Sequence, residues 1–228
     1  MTRIFLLALS MFMCVPVAYA KEYGKYDVTK VRTIVENKAG NQYGIDLKYL
    51  DPILHDLGRH ARNYPAQFDT PQERQRAAQD VIAISRILDV MVGEPKPNSE
   101  LLLRAGFVNM VGRNLDIPGT ADKASANFKK LLKAKPADAQ GNYLYGTFLA
   151  GEGKTKKAIP YLEKALAAGV AEAAYTLGMA HLSLGNKKKA LESFEEFKKR
   201  TPFYEESVIR HIEDIRSDLA KPKKKKKQ

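Results

Sequence analysis

From Asp46 onward, apolar residues recur every third or fourth position, the spacing that lines one face of a helix. Leu47, Leu50, Leu54, Leu57 and Ala61 form the first such stripe. Pro52 lies inside it, which predicts either a kink or a helix that starts there with Asp51 as its cap. Thr70-Pro71-Gln72-Glu73 is a sharper signal. A capping threonine, proline at the first helical position and glutamate at the third make a capping box. The helix it opens should run to Val92 with Ala78, Val81, Ile82, Ser85, Leu88 and Val92 inward, and Gly93, Pro95 and Pro97 should stop it. Asn98 or Ser99 is placed to cap the next helix, over 101–111. After a connection containing Pro118-Gly119, Thr120 is placed to cap a helix carrying Ala124, Phe128, Leu131 and Leu132. Before all of these, 21–42 shows no sustained period, and 28–35 fits a short strand as well as a short helix.

The pattern then repeats itself. Sliding 139–204 by 32 residues pairs Tyr143 with Tyr175, Gly146 with Gly178, Gly153 with Gly185, Ala158 with Ala190 and Leu162 with Phe194. Each unit reads as two short helices with small residues where they cross. A unit of that length cannot bury its apolar face alone, so several must stack. A last amphipathic stretch, with Val208, Ile209, Ile212, Ile215 and Leu219 inward, is suited to cap the open end.

These residues resemble the tetratricopeptide repeat. In the second unit the family's small and apolar positions are filled by Ala174, Leu177, Gly178, Ala190, Phe194, Phe197 and Pro202, with His181 where tyrosine or leucine is usual. The first unit supplies Asn142, Tyr145, Gly146, Leu149, Ala158, Leu162 and Ala165, then runs two residues short at Gly169-Val170. Upstream, Ala105, Val108, Gly112, Ala124, Phe128, Leu131 and Pro136 look like a degenerate third unit. The resemblance implies an all-α chain of antiparallel helix pairs stacked as a short superhelix. The expected plan is a leader at 1–20, an irregular segment at 21–45 and a helical hairpin at 46–97. Repeat-like units follow at 98–138, 139–170 and 171–204, then a capping helix at 205–220 and a basic tail at 221–228.

Composition adds a compartment. Arg3, the apolar run 4–17 and Ala18-Tyr19-Ala20 make a secretory signal with an A-x-A cleavage site. The single cysteine, Cys14, lies inside it, so the processed chain would carry none and would rely on its core alone. The expected location is periplasmic or secreted after cleavage near Ala20. Of the formal net charge of +12, six positive charges sit in Lys221 and Lys223 to Lys227. Behind a leader, such a run points to anionic lipid headgroups or envelope polyanions, not to nucleic acid.

Candidate chemistry changes little. Gly153-Lys154-Thr155 ends like a phosphate-binding loop, but Phe148 stands where that motif needs its first glycine, and a helix precedes in place of a strand. The repeat explains the segment as a turn, with Thr155 to cap the second helix. His55, His60, His181 and His211 show no metal-ligand spacing. No catalytic, cofactor or metal site is expected. In the resembled family, the first helix of each unit lines a concave groove that holds a partner's peptide or helix. Carried over by position, the groove residues are Tyr143, Thr147 and Ala150, then Tyr175, Met179 and Leu182, with Leu102, Gly106 and Asn109 extending it. The expected function is a non-enzymatic adaptor or assembly factor of the bacterial envelope. The alternative is a peripheral protein whose basic edge, Lys154, Lys156, Lys157, Lys187, Lys188 and Lys189, attaches with the tail to anionic lipid or polymer. Lysines in the first turn of a helix oppose its dipole, so an anionic surface would favour them there.

Overall fold

The computed structural model describes residues 22–37, 40–201 and 206–221. The leader, and all of the basic tail except Lys221, lie outside them. The first apolar stripe becomes helix α1, Leu47–Ala61, which starts before Pro52 because the Asp46 carboxylate accepts from the Tyr49 amide at 3.1 Å. Asp51 is therefore not its cap, and Pro52 sits within the helix, where it forgoes one main-chain bond.

Helix α2, Pro71–Val92, opens as the capping box predicts: the Glu73 amide donates to the Thr70 hydroxyl oxygen at 3.2 Å. The Glu73 carboxylate, however, does not return to the Thr70 amide. It is buried and accepts from the Tyr23 amide at 3.4 Å. The inward stripe of α2 is Ala77, Val81, Ile84, Ser85, Leu88 and Val92. Ile82 is 36% exposed, because one position along a helix turns a side chain by about 100°.

The segment before α1 is more ordered than its composition suggests. A 3-10 turn, Val28–Val31, leads into strand β1, Arg32–Asn37, which pairs antiparallel with β2, Gly40–Ile45, placing Ile34 opposite Tyr43. The ambiguous 28–35 stretch is thus turn and strand in succession. Ahead of it, residues 22–27 form a strap across α1 and α2. Tyr23 is fully buried, with its hydroxyl donating to Asp80 at 2.9 Å. Asp56 accepts from the Gly24 amide at 2.9 Å and the Tyr26 hydroxyl at 2.6 Å.

The repeats follow as helix pairs: α3, Ser99–Asn114, with α4, Thr120–Ala134; α5, Ala139–Gly151, with α6, Thr155–Ala167; and α7, Glu172–Ser183, with α8, Lys187–Arg200. Asn98 caps α3 through the Glu100 amide at 2.7 Å. Two predicted caps do not form. The Thr120 hydroxyl donates back to Ile117 at 2.7 Å, and Thr155 is the first residue of α6, behind Lys154, which makes no capping bond. The chain reverses there through Gly153 and, in the next unit, Gly185, whose φ of 71° and 74° favour glycine. Within each pair one glycine lies under a large side chain. A Cβ on Gly178 would stand 2.6 Å from Phe194, and one on Gly146 2.7 Å from Leu162.

In the degenerate unit the equivalent glycine is Gly106, whose Cβ would stand 2.6 Å from Phe128. Gly112 meets Thr120 instead. One apolar core runs from Tyr23 to Leu177. A second, Ala190, Phe194, Val208, Ile212 and Ile215, closes under helix α9, Glu206–Ala220. Ile209 and Leu219, expected inward, are 36% and 41% exposed. Apart from the hairpin, the described residues form an all-α helical-repeat superhelix.

His181 stands where the repeat prefers an apolar residue. It is buried, its Nδ1 has no hydrogen-bond partner, and burial lowers its pKa, Lys189 adding to the effect. An orphaned buried polar group costs about 1–3 kcal/mol, so His181→Leu should raise stability by about 1 kcal/mol. With the folded pKa below the unfolded value of about 6.5, the unfolded chain takes up the proton first. The parent therefore loses stability as pH falls from 6.5 toward the folded value. The leucine variant should lack that loss, and urea titrations at pH 7.5 and pH 5.5 measure both effects.

Candidate functional site

Residues four apart share a helix face, and this sets the inner surface of the array. Tyr143 and Thr147 with Ala150 on α5, and Tyr175 with Met179 on α7, line one cavity of about 620 Å³. Leu182 does not join them; it packs against the second core beside Phe194. The expected extension along α3 also fails. Leu102 and Gly106 are buried, and Asn109 is wholly enclosed, where its Oδ1 accepts from the Ser85 hydroxyl of α2 at 3.0 Å. Ser85 of α2 and Phe128 of α4 cover that face of α3. The α3 residues that reach the cavity are Met110, Arg113 and Asn114, one turn further on.

The remaining wall comes from outside the repeats. Arg62, Asn63 and Tyr64, in the connection between α1 and α2, line the same cavity. Asn114 fixes them by donating through Nδ2 to the Ala61 and Arg62 carbonyls, both at 2.9 Å. Arg113 lies 5.2 Å over the Tyr64 ring, and its guanidinium also bonds Glu152 at 2.6 Å and the Gly151 carbonyl at 2.9 Å. These contacts tie the wall to α3 and to the end of α5. No periodicity within the chain reveals them, because they join residues 38 to 53 positions apart.

The electrostatics are mixed. Tyr143 is 8% exposed and its pKa is raised by burial, with Arg62 opposing and Glu172 reinforcing the shift. It therefore keeps its proton and is available as a donor. The Thr176 and Thr147 hydroxyls also interact with the Tyr143 oxygen and pull the shift back. Tyr175 is held by rings at 5.7 Å (Phe194) and 5.6 Å (Phe197), and Met179 is 39% exposed. Rigid aromatic groups beside an adaptable thioether suit a binding surface.

The six lysines of the predicted edge flank the turns of successive units. Lys154, Lys156 and Lys157 stand at the start of α6, and Lys187, Lys188 and Lys189 open α8. Carboxylates engage two of them: Lys187 bonds Asp218 at 2.7 Å, and Lys154 lies 3.9 Å from Glu152. Lys187 and Lys221 together hold the Asp218 pKa down at about 2. Among the described residues, no three His, Cys, Asp or Glu side chains group as a metal site.

Residues 119–169 and 149–205 match the family model of the tetratricopeptide repeat. Among solved structures, a crystal structure of MamA is 23% identical, with a TM-score of 0.55 over 67% of this chain and 86% of that one. MamA 41-end from Desulfovibrio magneticus RS-1 is 24% identical, with a TM-score of 0.52 over 65% of this chain and 82% of that one. No curated protein matches the chain. The stretch from 119 to 205 is therefore similar in sequence to tetratricopeptide repeats, and the described residues share the helical superhelix fold of these structures.

Proposed function

We propose that this chain is a non-enzymatic adaptor or assembly factor of the bacterial envelope, exported by its leader and holding a partner's peptide or helix in the groove. The observation that carries the reading is the convergence of Tyr143, Tyr175 and Met179, from successive units, on one cavity. The α1–α2 connection supplies a further wall of that cavity, with a guanidinium at its side. Affinity capture from envelope extract tests it. The Tyr143→Ala/Tyr175→Ala variant should recover its main partner at least about tenfold less well, the range expected when interface anchors are removed. Met179→Glu, at a position exposed enough to leave the fold intact, should act in the same direction. Equal recovery of every partner by both variants overturns the groove reading.

A second reading rests on Lys156, Lys157, Lys188 and Lys189, which are exposed and make no ion pair among the described residues. With the tail they would attach the protein to anionic lipid or polymer. That attachment should weaken steeply with ionic strength, and groove variants should leave it unchanged.

A further inference from the structure

A second surface lies between the β1–β2 hairpin and α2, and it shares no lining residue with the groove. Tyr43 and Ile45 of β2 face Ile87, Val90 and Met91 of α2 across a cleft of about 350 Å³. That volume lies at the lower end of the roughly 300–1,000 Å³ typical of ligand pockets. Its apolar groups are unusually open: Val90 is 71% exposed, Tyr43 55%, and Ile34, opposite Tyr43 in the ladder, 47%. Open apolar side chains gathered at one cleft suit an interaction site.

The charged groups lining the cleft are both cationic. Arg32, on the hairpin, lies 6.0 Å from the Tyr43 ring centroid, and Arg86 rises from the helix. Neither has a carboxylate partner among the described side chains. Asp89, beside Val90 in sequence, is engaged by Lys123 at 2.6 Å. The concavity selects among anionic partners. A bilayer surface is too broad to enter a cleft between a hairpin and a helix, whereas a single side chain fits it.

We propose that this cleft docks a partner polypeptide presenting an aliphatic side chain flanked by carboxylates. The aliphatic group enters between Tyr43 and Val90, and the carboxylates meet Arg32 and Arg86. This surface is independent of the groove, so a partner held in one leaves the other open.

The test uses the full chain with methyl-labelled isoleucine, valine and methionine, titrated with a synthetic peptide of alternating leucine and glutamate. Signals of Ile34, Ile87, Val90 and Met91 should shift. Arg32→Glu/Arg86→Glu should weaken binding at least about tenfold and gain affinity for the matching leucine–lysine peptide. Val90→Asp should weaken the glutamate peptide as well. All three positions are exposed, so circular dichroism should show the fold retained. The proposal is overturned if the shifts appear at Met179 instead, or if charge reversal has no effect. It is equally overturned if phosphatidylglycerol vesicles perturb these signals and the peptide does not, or if Val90→Asp alters the solution mass, which would make the occupant a second copy.

Discussion

Phe194→Ala should cost about 3–5 kcal/mol, the range for truncating a fully enclosed aromatic side chain. Phe194 is 0% exposed and lies over Gly178 at the α7–α8 crossing, with Tyr175 and His211 against its ring. It also belongs to the smaller core that seats α9. The loss should therefore appear as a lower urea midpoint together with premature loss of α9 helicity. Gly178→Ala should cost about 1–3 kcal/mol by overpacking, since a Cβ there would stand 2.6 Å from the ring. Combining Gly178→Ala with Phe194→Leu should cost less than the two separate losses added together, because the residues share one space. A loss below about 1 kcal/mol for Phe194→Ala would show that the crossing does not hold the terminal unit.

The second large effect concerns the strap. Asp56 gathers the Gly24 amide, the Tyr26 hydroxyl and the Arg59 guanidinium. Removing its carboxylate leaves all three donors without their acceptor, so Asp56→Ala should cost about 2–4 kcal/mol. Burial alone would raise the Asp56 pKa, but the bonds from Tyr26, Gly24 and Arg59 outweigh it and hold the value below the ordinary range. With the folded pKa below the unfolded one, this stabilisation is complete above about pH 4–5 and fades as pH falls through the folded value. Asp80 works the other way. Burial raises its pKa, so its share favours folding at low pH and is lost as pH rises through the folded value. The gap between parent and Asp56→Ala should thus be constant near neutrality and narrow below pH 4. A gap that stays the same at pH 3 would mean that Asp56 is not the charged acceptor described.

Hydrophobic spacing sufficed for the repeats because each helix pair forms its crossing from residues close in sequence. Gly146, Gly178, Ala158 and Ala190 mark their own crossings, whatever lies elsewhere. The resembled family's groove positions, carried over to α3, misplaced Leu102, Gly106 and Asn109, since the docking of Ser85 on Asn109 and of Phe128 on Gly106 decides which face of α3 is covered. Gly106 and Gly112 were equally small in the sequence. Only the position of Phe128 separates the crossing residue from the other. Arg62, Tyr64 and Arg113 were illegible for a stronger reason: nothing local couples the end of α1 to the end of α3. Glu73 shows a subtler limit. It fitted the capping box and opens the helix as expected, yet its carboxylate accepts from the Thr70 hydroxyl and from the Tyr23 amide on the strap, not from the Thr70 amide.

The borrowed wall of the groove has a consequence for how this protein could be recombined. Asn114 grips the main chain of residues 61 and 62, so this wall of the cavity stands only while the connection between α1 and α2 is held against α3. A fragment holding the repeats alone, transplanted into another protein, would keep its helix pairs but present an open trough. It would carry the tyrosines and methionine without Arg62 or Tyr64, and so the grip without the selectivity. Under the function proposed above, portability and discrimination would separate along the chain: the repeats could travel, and the choice of ligand would stay behind with the connection between α1 and α2.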